Sequence, residues 1–161
     1  MVNRGKQWEK RFEQDWQNSF PQGVVIRLAD QVSGYKNTSK NICDFICFDS
    51  YHLWLAECKT ITGNTFPATN FTQLEKLLPY ASLPNVRAGV FIWYIDHSRV
   101  LFIPASSFKR LIDDGLKSFN INKTSFEKYN AIEIPCKVKR VFPKCDYTSL
   151  QKLEDDYGTE K

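Results

Sequence analysis

Apolar positions change their period several times along this chain, and each change marks an element. Over residues 5–18, Trp8, Phe12 and Trp16 recur at i, i+4 and i+8 with Arg and Lys on the other face, which predicts an amphipathic helix. Asn3 is placed to cap it, and Ser19-Phe20-Pro21-Gln22-Gly23 supplies the turn chemistry that ends it. A short β-rich run follows at 24–28, then a polar stretch over 30–41 that reads as a loop. Two nearly continuous apolar runs, 42–48 and 53–58, flank Asp49-Ser50-Tyr51-His52; they predict a β-hairpin whose strands are covered on both faces.

A second helix is expected from about Asn70, with Phe71, Leu74, Leu77 and Leu78 facing inward. Asn70 and Gln73 have capping-box spacing, and Pro79 should end or kink this helix. Residues 88–95 and 100–103 read as another strand pair, and Pro104 opens a helix carrying Phe108, Leu111, Ile112 and Leu116. The stretch 131–141 is strand-like and 147–157 reads as a short acidic helix. The order αβββαββα with a β-rich tail fits an α/β chain, a mixed sheet flanked by helices.

At 161 residues, with 42% hydrophobic and 25% charged residues, the chain suits one soluble domain over 1–161, its tail at 131–161 the least regular part. Its longest apolar runs, such as 90–95, are strand-sized and far short of the ~20 residues that span a bilayer. The charged N-terminal stretch has no apolar core of signal-peptide type, so a cytosolic protein is expected, with no membrane partner and no organic cofactor. Five cysteines without CxxC spacing point to reduced, mostly buried thiols. With only His52 and His97 present, chemistry needing several histidines is excluded; both are expected at the surface or at strand ends. A net charge of +4 permits a nucleic-acid partner without requiring one.

Polar groups inside apolar strands need a reason. Asp44 lies at the start of the 42–48 run, while Glu57 and Lys59, two residues apart and so on one face, end the 53–58 run. A short hairpin carries Asp44 back beside them, bringing two carboxylates and one ammonium together at one end of a buried sheet. That set serves phosphodiester hydrolysis. Two carboxylates can hold Mg²⁺, with Mn²⁺ as a substitute, and the lysine can orient a water or stabilise charge developing on phosphorus. A plain salt bridge at the hairpin end is the competing reading.

Asp44…Glu57-Cys58-Lys59 resembles the PD-(D/E)xK nuclease motif, and the wider pattern resembles the RecU-type Holliday-junction resolvases. The N-terminal Asn3-Arg4-Gly5-Lys6-Gln7-Trp8-Glu9 is similar to that family's approach to its first helix. Twelve residues separate Asp44 from Glu57, as in its acidic pair. Phe66-Pro67-Ala68-Thr69-Asn70-Phe71 with Gln73-Leu74-Glu75 is similar to the segment leading into its glutamine-bearing helix. Gly89-Val90-Phe91-Ile92 and Arg140-Val141-Phe142-Pro143-Lys144-Cys145-Asp146-Tyr147 fall where similar patterns close the fold. The resemblance runs from about Asn3 to Leu153.

It implies a restriction-endonuclease-like core and a metal site of Asp44, Glu57 and Gln73. Lys59 becomes the transition-state stabiliser, and Glu9 lies nearby on the first helix, with Glu13 as the substitute one turn later. Two departures stand out. Ile42 occupies a position where the family often has threonine, and the segment between Arg27 and Ile42 is short where cellular relatives carry a long stalk. A compact, phage-encoded resolvase acting in the bacterial cytosol is the expectation.

Arg4, Lys6, Arg27, Tyr35, Lys36, Lys40 and Lys76 are the candidate DNA contacts, the cations among them bringing a polyanion up to acids that otherwise repel it. The pairs Asp113-Asp114 and Asp155-Asp156 read as surface charge. The implied activity is symmetric cleavage of a four-way DNA junction, which needs two active sites on a two-fold axis and hence a homodimer. The alternatives are another PD-(D/E)xK nuclease acting on duplex or branched DNA, or a non-catalytic DNA-binding protein on the same fold.

Overall fold

In the computed structural model, which describes residues 3–29 and 41–153, the chain opens with helix α1 (Arg4–Ser19). Asn3 caps it, its side chain accepting from the Lys6 N–H at 3.2 Å. Trp8, Phe12 and Trp16 are all buried, as their spacing predicts. Strands β1 (Val24–Arg27), β2 (Phe45–Phe48), β3 (Leu53–Ile61) and the short β4 (Thr65–Pro67) follow. After a 3₁₀ turn come α2 (Leu74–Ala81), β5 (Val86–Tyr94), β6 (Arg99–Pro104) and α3 (Ala105–Asp113). The tail holds β7 (Ser118–Asn120), β8 (Ile132–Ile134), β9 (Cys136–Val138), β10 (Pro143–Cys145) and a 3₁₀ segment, Tyr147–Leu153.

Six strands form one mixed sheet in the order β1-β2-β3-β5-β6-β8. Only β3 and β5 pair in parallel, through a crossover that carries α2; the neighbours are antiparallel. The continuous apolar character of β3 and β5 has a direct cause. One sheet face packs Leu55, Val90 and Ile92 against Leu74, Leu77, Phe108 and Leu111 of α2 and α3. The other packs Trp54, Ala56, Phe91 and Trp93 against Trp8, Phe12 and Trp16 of α1, with Tyr147 and Leu150 of the tail. Gly89 is required where β5 meets β6, since a Cβ there would stand 2.4 Å from the Ile103 carbonyl oxygen.

Several expectations are corrected. α2 begins at Leu74, not near Asn70: residues 68–70 form a 3₁₀ turn, and Gln73 makes no capping bond. Pro79 sits inside α2, whose last turn continues past it to Ala81. α3 ends at Asp113, leaving Leu116 beyond the helix and exposed. The 131–141 run divides into β8 and β9 at Pro135, which has no N–H for a ladder. The 147–157 helix is a 3₁₀ segment as far as Leu153; the rest of it, with Asp155 and Asp156, lies outside the described residues. The 42–48 run is strand only from Phe45, and the β4–β7 pair has no periodicity long enough to read. His52 does stand at a strand end but is buried, its ring nitrogen on Asp49. All five cysteines are free thiols. Among the described residues no helix is long and apolar enough to cross a membrane.

Candidate active site at the open end of the hairpin

The β2–β3 register ends with Phe45 opposite Ala56, and Asp44, one residue before β2, is held against the same strand. Backbone bonds hold Asp44 there: its N–H donates to Ala56 O at 3.1 Å and its carbonyl accepts from Leu28 N at 2.8 Å. Its Oδ2 accepts from the Cys58 N–H at 2.8 Å. Glu57 is central to the sheet and only 3% exposed. Its Oε1 takes the Lys59 ammonium at 3.0 Å, and its Oε2 is buried with no hydrogen-bond partner among the described residues.

The electrostatics follow from that placement. Burial, reinforced by the Asp44 charge, pushes the Glu57 carboxyl up to about 7 against the pull of Lys59. Burial also pushes the Cys43 thiol to about 12 and the Cys58 thiol well above its ordinary value, with Asp44 and Glu57 adding to both. These thiols stay protonated and are poor nucleophiles.

Glu9 and Arg27, read from sequence as a catalytic acid and a DNA contact, are paired with each other. Arg27 donates to Glu9 Oε2 from Nε at 3.1 Å and Nη2 at 2.8 Å. The Glu9 charge still contributes, as the smallest cause, to the rise at Glu57. Glu13 acts on Cys47 instead. Gln73 does not cap α2; its Nε2 donates to Asn41 O at 2.6 Å, and Asn41 Nδ2 donates to Ala29 O at 2.7 Å. Gln73 thus fastens the segment that leads to Asp44, with its amide nitrogen committed to that role. Sequence reading missed Asn41; an asparagine where a polar stretch meets an apolar one was the available signal.

Arg4 and Lys6 are exposed on the first turn of α1, and Lys76 is exposed on α2. Tyr35, Lys36 and Lys40 lie outside the described residues.

Among the described residues no group of three or more His, Cys, Asp or Glu is gathered to hold a metal. A Mg²⁺ ion asks for less, since it commonly takes one or two carboxylates and keeps several waters. The unpartnered Oε2 of Glu57 beside Asp44 fits such an ion: it is an acceptor removed from water, and a cation would offset the desolvation that raises its pKa.

No protein-family model matches this sequence and no curated protein is found as a relative. A solved structure does match: Hjc of Archaeoglobus fulgidus, a Holliday junction resolvase from an archaeal hyperthermophile. It aligns at a TM-score of 0.54 and 17% identity, over 80% of this chain and 95% of that one. At that identity the likeness speaks to architecture, and the architecture is α/β, a restriction-endonuclease-like mixed sheet flanked by helices.

Proposed function

We propose that the chain is a metal-dependent DNA endonuclease of the PD-(D/E)xK kind, a single nuclease domain of the cytosol that cuts four-way junctions as a homodimer. One observation carries the reading: Asp44 is held against β3 with its Oδ2 on the Cys58 N–H and its charge acting on Glu57, while Lys59 sits on Glu57 and one buried Glu57 oxygen has no partner among the described residues. The fold likeness to a resolvase supports it.

Asp44 and Glu57 would hold Mg²⁺ or Mn²⁺, which polarises a phosphoryl oxygen and acidifies a bound water. Lys59, partly exposed and anchored on Glu57, presents its ammonium where charge builds on the scissile phosphate. Without the ion, burial and the Asp44 charge hold Glu57 near neutrality, and a cation there would favour its ionised, metal-binding form. Gln73 and Asn41 keep the Asp44 strand from fraying. Paired nicks on opposed strands need two such sites on a dyad, hence the dimer.

The test compares a four-way junction with linear duplex and flap DNA, in Mg²⁺ and in EDTA. The junction should be cut preferentially and only with the metal. Asp44→Asn and Lys59→Ala should each lower the rate by about 10²-fold or more while largely sparing binding. Full activity in either variant removes this site. Equal cutting of linear duplex selects a different nuclease on this core, and binding with no cleavage in Mg²⁺ or Mn²⁺ selects a binding protein.

A further inference from the structure

The β9–β10 hairpin carries a concentration of positive charge to which the catalytic reading gives no task. Lys137, Lys139, Arg140 and Lys144 are all exposed on it, and no acidic residue occurs between Glu133 and Asp146. Lys137 and Lys144 stand directly opposite in the register, a like-charge pair that destabilises a two-stranded ladder. Among the described residues no carboxylate forms an ion pair with any of the four. The nearby acids are engaged elsewhere: Glu133 with Arg99, and Asp146 with the Thr148 backbone and hydroxyl. Lys144 feels the charge of Asp15, but that carboxylate is fully buried, held by Arg11 at 3.0 Å and by the Cys145 N–H at 2.9 Å.

The hairpin is nevertheless firmly seated. Pro143 and Cys145 are buried, the Tyr147 N–H donates to Ser19 Oγ at 2.9 Å, and the Arg11 guanidinium lies over the Phe142 ring at 4.3 Å. Its tip reaches the start of α1, where Arg4 Nη1 donates to Val141 O at 3.4 Å. Glu9 is five positions on from Arg4, about 7.5 Å of helix rise, and the Glu9 charge is felt at Glu57. The basic tip and the candidate site therefore share one end of α1.

We infer that this hairpin is a backbone clamp for duplex DNA, in which Lys137, Lys139, Arg140 and Lys144, continued by Arg4, neutralise phosphates of the arm that enters the active site. A polyanion relieves the repulsion between Lys137 and Lys144, which form no ion pair among the described residues. A rigid, charged ladder suits the phosphate backbone, which fixes register without reading bases. The inference rests on the nuclease reading for the identity of the partner, but not on the catalytic residues.

The experiment titrates a fluorescein-labelled linear duplex against KCl by anisotropy, with EDTA present. It uses wild type, K137Q/K139Q/R140Q/K144Q, the charge-keeping K137R/K139R/K144R, and a control, K109Q/K123Q, on a different part of the surface. Melting temperatures verify that each variant folds. Each phosphate contact contributes about 0.9 to the slope of log K against log salt, so the quadruple variant should lose about 3.6 and bind at least tenfold more weakly near physiological salt. The arginine variant and the control should keep the wild-type slope.

A folded quadruple variant with an unchanged slope, while wild type still cuts junctions, overturns the clamp and leaves the nuclease. Wild type that binds no duplex overturns the clamp, and overturns the nuclease reading as well only if it also cuts no junction in Mg²⁺. Hairpin-dependent binding to phosphatidylserine vesicles without duplex binding overturns the clamp in favour of a membrane surface.

Discussion

Glu57 provides the sharpest test, because its two proposed properties pull stability and activity in opposite directions. Its carboxyl rises from 4.5 to about 7 through burial and the Asp44 charge. At 1.36 kcal/mol per pK unit, that rise of about 2.5 corresponds to about 3 kcal/mol of folding free energy. The sign follows from proton binding. Between the two pKa values the folded chain holds a proton that the unfolded chain has released. The stabilising effect is complete below about pH 4.5 and disappears as pH climbs through about 7. Glu57→Gln mimics the protonated carboxyl at every pH. Measured by urea unfolding in EDTA, it should match wild type near pH 4 and exceed it by up to about 3 kcal/mol near pH 8.5, a shift of roughly 6–12 °C in melting temperature for a chain of this size. Added Mg²⁺ should stabilise wild type at the higher pH and leave the variant unmoved, and the variant should not cut DNA. A salt bridge that merely holds the hairpin end together gives the reverse, a variant less stable than wild type at pH 8.5. That result would refute the argument.

Three further outcomes are expected. Glu9→Gln removes a charge that raises Glu57, and Arg27→Ala unmasks one; the midpoint of the Glu57-dependent stability change should move down in the first and up in the second, by a few tenths of a pH unit. Shifts of the same sign would show that this ion pair does not act on the site. Asp49→Ala leaves the Tyr51 N–H and the buried His52 N–H and Trp54 indole N–H without their acceptor, and should lower stability by about 2–4 kcal/mol in urea unfolding at neutral pH. Burial pushes the Asp49 carboxyl up, but these hydrogen bonds outweigh it and the net shift is downward, so its contribution is lost as pH falls through that lowered value. Cys136 and Cys145 are opposite in register with sulfurs 2.8 Å apart. Diamide should oxidise this pair to a disulfide, taking both thiol electrons, while the buried Cys43, Cys47 and Cys58 stay free by peptide mapping.

What the sequence revealed and what it hid separate along physical lines. β3, β5 and α1 were legible because burial is periodic or continuous over many residues, so each position repeats the same message. The start of α2 was not, because Asn70 has the residue type and spacing of a cap while local geometry turns 68–70 into a 3₁₀ turn first. β4 and β7 are three residues each and depend on one another across a long separation. At the site, Asp44, Glu57 and Lys59 were found as charges inside apolar strands. The Glu9–Arg27 pair was not, since each residue has a functional reading of its own and only the packing of α1 beside β1 brings them together. Gln73 was assigned by resemblance to a metal; the fold also fixes its amide nitrogen on Asn41, a tether that no spacing in the sequence announces.

The location of the aromatic residues follows from what the site demands of the fold. A buried carboxylate with one unsatisfied oxygen works against folding, so it persists only where the surrounding structure is rigid and strongly stabilised. Glu57 and Lys59 point to one face of β3, and Cys58 between them points to the other. Behind Cys58, Phe12 contacts Phe45, Phe91 and Tyr147 with ring centroids 4.8–5.2 Å apart, and Trp16 contacts Trp54 at 5.6 Å. Burying each such ring stabilises the fold by about 1.5–3 kcal/mol, with aromatic pairing adding to it, enough for a few rings to offset the charge at Glu57. Concentrating them directly behind the strand also prevents β3 from shifting to relieve that charge. A looser core would let β3 move until Glu57 reached water, and the carboxylate would then regain its ordinary pKa and its hydration, with less to gain from a metal ion.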